Sequence, residues 1–183
     1  MTRSISVEAL GKLVPQLRAG DRVLLSGTIY TARDAAHQRL CALLDEGKPL
    51  PFALKGAVIY YAGPTPGQKG MAVGACGPTT AGRMDRFAPR LLNLGLLAMI
   101  GKGDRSLEVR EAIVRNGGVY FAAVGGAGAL IAKHIETAEV IAFPELGCES
   151  VKKMRVRDLP LTVAIDCAGR DLYLTGREEY RRG

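Results

Sequence analysis

The chain has 183 residues, 48% of them hydrophobic, which is enough for one buried core and too few for two ordinary domains. Its 25 basic against 18 acidic residues leave a net charge of +7, a balance that suits nucleic acid, a membrane surface or acidic metabolites. Aromatics at 5% and the lack of tryptophan argue against a stacking platform for single strands.

The stretch Met1 to Glu8 lacks the apolar core of a signal peptide. Val7 to Leu17 reads as a short amphipathic segment ending near Pro15 and the Gly20-Asp21 turn. Arg22 to Tyr30 then reads as a strand. Thr31, with Asp34 three residues on, matches a capping box. Ala36, Leu40, Leu43 and Leu44 stand at helical spacing, so a helix is expected from Arg33 to about Asp45. Arg33 falls in its first turn, where the helix dipole favours anions.

Ala57 to Tyr61 and Gly70 to Ala75 read as strands, separated by the Pro64-Thr65-Pro66-Gly67 loop. Met84, Phe87, Ala88, Leu91 and Leu92 continue at helical spacing, and Pro89 requires that helix to kink or to begin near Phe87. Strands are expected at Leu96 to Ile100, Val119 to Val124, Ala138 to Phe143 and Leu161 to Ile165, with helices at Ser106 to Arg115 and Ala127 to Ile135. The basic run from Lys152 to Arg157 reads as a solvated face, and the tail from Arg177 to Arg182 as a frayed end. The longest apolar runs stop well short of a membrane span. Strands alternating with helices across short Gly-rich joints give one α/β domain, with no internal repeat. Strand order is not fixed by the pattern.

The string Gly77-Pro78-Thr79-Thr80-Ala81-Gly82-Arg83-Met84-Asp85 carries two hydroxyls and a guanidinium into a tight turn. Amide N–H groups pointing out of such a turn suit an anion. Arg83 can grip a carboxylate with its planar fork, which lysine cannot do. Three further segments build the same kind of site: Gly27 to His37, Tyr61 to Pro64, and Ile100-Gly101-Lys102-Gly103. Arg33, Thr79, Arg83 and Lys102 all fall just past predicted strand ends, where ligands gather in α/β sheets. Small dianionic acids are the leading substrate class.

Each of these residues has a plainer reading. Arg33 can pair with Asp34 or a later carboxylate, Arg83 can be a helix-surface charge, and Lys102 an ordinary loop lysine. Thr79, on the residues alone, is a cap or turn former, and Thr80 a cap. His37, four residues after Arg33 on the same helical face, reads as structural, and with Cys41 alone it is too little for a metal. Asp34 reads as positioning Arg33 or capping the helix. Gly125-Gly126-Ala127-Gly128 lacks the third glycine and the spacing of a dinucleotide loop. Cys41, Cys76, Cys148 and Cys167 stand far apart with no Cys-x-x-Cys pair, so neither a zinc knuckle nor a self-contained cluster site is readable. Cys76 reads as a packed thiol, and the chain as an intracellular, cytoplasmic one.

The four segments, in this order and spacing, resemble the β subunit of the iron–sulfur class of fumarases and tartrate dehydratases, which forms the C-terminal domain of single-chain relatives. The resemblance runs from about Gly20 to Val151, and the string from Gly77 to Asp85 is specific to it. It implies a single domain over 1–183 with a swivelling β/β/α architecture. It implies the β subunit of an oxygen-sensitive hydro-lyase that adds water to, or removes it from, a four-carbon dicarboxylate such as fumarate and malate. In that family a 4Fe-4S cluster sits on three cysteines of the partner α subunit, whose open iron acts as Lewis acid. No metal or cofactor is then expected on this chain.

The same resemblance assigns carboxylate binding to Arg33, Arg83 and Lys102. It makes Thr79 the base that exchanges the carbon-bound proton, and the hydroxyl would draw its acidity from the charges of Arg83 and Lys102. The implied partners are the α subunit, in a hetero-oligomer, and a small dicarboxylate, with no nucleic acid or membrane. A tartrate dehydratase β subunit, a mesaconate-type substrate and a stand-alone dicarboxylate-binding module stay open as alternatives. Cys76 matches no ligand position of the family. Glu145 and Glu149 lie in a stretch similar to a family loop, without an assigned role.

Overall fold

The computed structural model describes residues 2–179. Its strands are β1 (Thr2–Ser6), β2 (Arg22–Thr31), β3 (Val58–Tyr60), β4 (Ala98–Gly101), β5 (Val119–Ala122), β6 (Ile135–Ala142) and β7 (Val151–Ile165). The helices are α1 (Val7–Leu13), α2 (Asp34–Asp45), α3 (Ala88–Asn93), α4 (Leu107–Asn116), α5 (Gly128–Ala132) and α6 (Leu172–Glu179). No helix among the described residues is long and apolar enough to cross a membrane. The α/β class read from the alternation is what folds.

The strands form one sheet in the order β1-β2-β3-β4-β5-β7-β6, with a further pairing of β2 to β7. β2, β3, β4 and β5 run parallel, while β7 runs antiparallel to both β2 and β5. Hydrogen bonding therefore closes a ring, β2-β3-β4-β5-β7, with β1 and β6 as outlying edges. β7 can serve three neighbours because it is long. One of its edges follows β2 from Lys152 to Thr162, while the other meets β6 at its start and β5 at its end.

β3 and β4 are buried at every position, as expected of parallel strands covered on both faces. Their side chains alternate between two cores. Val58, Tyr60, Ala98 and Ile100 join Leu10, Leu25, Phe121 and Val163 on one face. Ile59, Tyr61 and Met99 join Leu40, Leu91, Ile113 and Tyr120 under the helices on the other. In β2 the register shifts at Gly27, whose φ of 130° and lack of Cβ let Val7 pack against it; a Cβ there would lie 2.9 Å from that of Val7.

Several expectations change. The stretch 70–75 is not a strand but part of a loop folded on itself. Gly74 N–H donates to Thr65 O at 2.9 Å, Thr65 N–H to Ala75 O at 3.0 Å, and a Cβ on Gly67 would strike the Met71 carbonyl. Four glycines in eleven residues favour that compaction over an extended ladder. The Thr31–Asp34 capping box does not form. The Thr31 hydroxyl instead donates to Ser150 O at 3.3 Å and accepts from Lys152 N–H at 3.0 Å, tying β2 to the start of β7. α3 begins with Phe87 as cap and Pro89 in its first turn, so Pro89 interrupts nothing.

β7 starts ten residues before the expected last strand and contains the whole basic run from Lys152 to Arg157, with Met154 and Val156 buried and Lys153, Arg155 and Arg157 exposed. The solvated-face reading holds for that run. β1 and α6 had no counterpart in the pattern. Of the basic tail, Arg177 lies in α6, 3.4 Å from Asp104, and Arg181 and Arg182 lie outside the described residues, as does Met1.

Candidate active site

Arg33 sits two residues beyond β2, as the cap residue of α2, and Lys102 sits one residue beyond β4. Between them the glycine–threonine string docks as an extra strand-like piece rather than as the product of a preceding strand. Pro78 bridges Ala62, and Thr80 bridges Lys102. Thr79 is clamped at both backbone groups. Its N–H donates to Tyr61 O at 2.6 Å, and its carbonyl accepts from Lys102 N–H at 3.2 Å. The next bond runs from Ala81 N–H to Lys102 O at 2.8 Å. Thr80 is exposed and makes no side-chain cap bond, contrary to its reading as a cap.

The 3-10 turn Ala81–Met84 carries Arg83 to α2. There Arg83 Nε donates to Asp34 Oδ1 at 2.9 Å, and Nη2 lies 2.8 Å from Oδ2. Arg33, the residue before Asp34, reaches instead to Glu149, with Nη2 to Oε1 at 3.3 Å. Its guanidinium lies over Gly63, where a Cβ would come within 2.8 Å of Nη1. Glycine at 63 is therefore a condition for Arg33's placement. Lys102 is exposed and lies along Gly125, with no carboxylate in salt-bridge range among the described residues. The glycine run at 125–128 thus serves close packing: Cys76 N–H bonds Gly128 O at 3.0 Å.

Three of the four buried side-chain atoms lacking a hydrogen-bond partner among the described residues belong to this cluster: Arg33 Nε, Asp34 Oδ2 and His37 Nε2. Asp34 Oδ2 is close to Arg83 Nη2 in charge but not aligned for a hydrogen bond. Unsatisfied buried polar atoms are rare in folded proteins, and three of them fall at the start of α2.

His37 is fully buried between Phe87 and Tyr61, with ring centroids at 5.6 and 5.4 Å. Its Nδ1–H and its backbone N–H both donate to Arg33 O, each at 2.8 Å. Burial pushes its pKa down to about 4, against the carbonyl bond that favours the proton. The ring is neutral and pins the Arg33 backbone.

Glu149 and Arg105 were not legible as contributors. Glu149 Oε2 accepts from Ala35 N–H at 3.1 Å, so it caps α2 from 114 residues away, a role Arg33 cannot play itself. The loop bearing Glu149 is held by Lys152, whose Nζ donates to Gly147 O, Cys148 O and Ser150 Oγ at 3.1, 3.2 and 2.7 Å. Glu145 pairs with Arg39 at 2.9 Å, away from the cations. Arg105 is buried between the rings of Tyr61 and Tyr120, and its Nε meets Asp85 at 2.7 Å. Tyr120 OH donates to Gly103 O at 2.9 Å, and Gly103 N–H donates to Tyr173 OH at 3.1 Å, so the residue after Lys102 is held from both sides. Only the Asp85 that closes the glycine–threonine string hinted at this bracing.

Comparison with known proteins gives the arrangement its context. The family model described as Fumarase C-terminus matches residues 2–176. The chain belongs to that family. It is 40% identical over 169 residues to fumarate hydratase 2 of Leishmania major, covering 91% of this chain and 30% of that protein. It is 41% identical over 160 residues to the anaerobic class I fumarate hydratase of Escherichia coli K12, covering 86% and 29%. A Methanocaldococcus jannaschii chain provisionally named L(+)-tartrate dehydratase subunit beta is 37% identical over 168 residues, covering 88% of this chain and 86% of that one. The chain thus spans less than a third of the two fumarate hydratases and most of the subunit.

Class I members of the fumarase family are iron–sulfur proteins, and the described residues of this chain offer no ligand set that fits such a cluster. Among the described residues no three His, Cys, Asp or Glu side chains stand together as a metal site. Cys76, which directly precedes the glycine–threonine string, is buried, and burial pushes its pKa up to about 12.

Proposed function

We propose that this chain is the β subunit of a two-chain iron–sulfur hydro-lyase that reversibly hydrates a four-carbon dicarboxylate, fumarate to malate. What supports the reading is that Thr79 bonds the backbones of Tyr61 and Lys102 while Arg83 meets Asp34, the residue after Arg33, so the four expected residues share the region beyond β2 and β4. Two guanidiniums and an ammonium suit a dianion, and two fixed charges orient it. Thr79 moves the carbon-bound proton, and its carbonyl accepts from the Lys102 backbone N–H at 3.2 Å, which sets the two residues side by side. The 4Fe-4S cluster belongs to the α subunit, with which this chain forms a cytoplasmic hetero-oligomer. The family's swivelling β/β/α architecture is the arrangement in which the closed sheet would present these residues to that partner.

A second substrate, L-tartrate, is favoured by the near full-length match to a chain named as a separate dehydratase subunit. Anaerobic co-purification with a cluster-bearing α chain, followed by turnover of fumarate, malate, mesaconate and L-tartrate, tests the reading. The isolated β chain is expected to hold no iron or sulfide and to show no hydration. A stoichiometric cluster on it, or turnover without the partner, overturns the division of roles. Failure of every dicarboxylate in the reconstituted pair leaves the binding module instead.

A further inference from the structure

A guanidinium has two edges that can each take a carboxylate: the side edge, Nε with one Nη, and the end edge, the two Nη atoms. In Arg83 the side edge is already used, by Asp34 at 2.9 and 2.8 Å. Any ligand carboxylate must therefore meet the end edge. Asp34 is also the residue next to Arg33, whose carbonyl is held twice by His37 and whose guanidinium is held by Glu149. The start of α2 is thus a common reference for both arginines.

We propose that Asp34 is a positioning and specificity-determining residue, fixing Arg83 relative to Arg33 so that the site selects ligands with two carboxylates over ligands with one. This rests on the reading that Arg83 binds a carboxylate. Arg83 is half exposed, 51% by side-chain area, and a free arginine at such a position would sample many rotamers. Asp34 is only 23% exposed and sits on a helix, so it is the fixed member of the pair. Its second oxygen is buried and, among the described residues, has no close partner besides Arg83 Nη2 at 2.8 Å. The pair costs the site one negative charge close to where a dianion binds, a cost that geometry must offset.

The test uses the reconstituted complex and two non-reactive probes, succinate and succinamate, as competitive inhibitors. They differ in one carboxylate, so the ratio of their inhibition constants reads the dicarboxylate preference independently of the chemical step. Asp34→Asn is expected to lower that preference about tenfold, the order a charge-assisted contact supports, while succinamate binding changes little. Arg83→Ala is expected to lower it at least as much, and Asp34→Asn/Arg83→Ala no further than Arg83→Ala alone. Asp34→Glu, which keeps the charge, is expected to fall between Asn and the native residue. An unchanged preference in Asp34→Asn, with Arg83→Ala impaired, overturns the proposal and leaves the reading intact. So does an additive double variant. An unchanged preference in Arg83→Ala overturns both.

Discussion

Asp85 and Arg105 form an ion pair at 2.7 Å in which the guanidinium is wholly buried. The second Asp85 oxygen accepts from Ser106 N–H at 2.6 Å, at the start of α4. The end of the glycine–threonine string is thereby locked to the loop that follows Lys102. Aromatic faces on both sides of Arg105 replace the water it gives up.

Breaking this pair is expected to be costly, because one charge is left buried without its partner. Asp85→Ala, which strands the buried Arg105 guanidinium, should lower the unfolding free energy by about 3–5 kcal/mol. Denaturant titration of the chain checks it, with an unchanged slope confirming that only stability moved. A loss below about 1 kcal/mol would place the pair among solvated ones, which contribute little.

The arginines predict a different signature. Lysine at 83 keeps the charge but has one ammonium to divide between Asp34 and a ligand, so it satisfies one or the other. Arg83→Lys in the reconstituted enzyme is expected to lose about 2–5 kcal/mol of transition-state stabilisation, read as kcat/KM. Arg33→Lys should behave alike, since Glu149 competes in the same way. Near-native efficiency in both variants removes these arginines from the site.

Much of this was written in local pattern. Ala36, Leu40 and their neighbours announced α2, and the unbroken apolar runs announced β3 and β4, because burial on one stripe or both faces leaves a period. Residues 70–75 misled because apolar residues spaced by glycine imitate alternation. The first half of β7 was hidden by exposed Lys153, Arg155 and Arg157, which mask buried Met154 and Val156. In the site, the cations were legible and their counter-ions were not. A contact between positions 34 and 83, or 33 and 149, depends on how the sheet closes and leaves no spacing in the chain.

His37 gives the fold a pH dependence whose sign is fixed by its burial. Its pKa falls from the ordinary 6.5 to about 4 in the folded chain, so the unfolded chain takes up one more proton between those values. Stability is full above about pH 6.5 and declines by about 1.4 kcal/mol per pH unit below it, until pH reaches about 4. His37→Asn keeps a donor near the Arg33 carbonyl and removes the titration. Its unfolding free energy is expected to vary less than the native chain's between pH 6.5 and 5, where carboxylates contribute least. Parallel slopes for the two proteins would show that His37 is charged, or hydrated, in the folded state.

Thr79 is proposed for the boldest chemical role, and its backbone geometry suits it. Both peptide groups are committed, to Tyr61 and Lys102, so the side chain has a fixed origin at the cationic end of the sheet. If its hydroxyl moves the proton, Thr79→Val abolishes turnover while ligand still binds through Arg33, Arg83 and Lys102. Valine keeps the branched shape and removes only the oxygen, which limits repacking as a confounder. Thr80→Val is the neighbouring control: that hydroxyl makes no cap bond, so its loss should change stability by less than the roughly 1 kcal/mol of a true cap. The decisive measurement is exchange of the carbon-bound proton with deuterated solvent, alongside ligand affinity, in the reconstituted enzyme. Exchange is expected to be lost in Thr79→Val and kept in Thr80→Val. Native exchange in Thr79→Val would reduce this threonine to a turn former and move the base to the partner subunit.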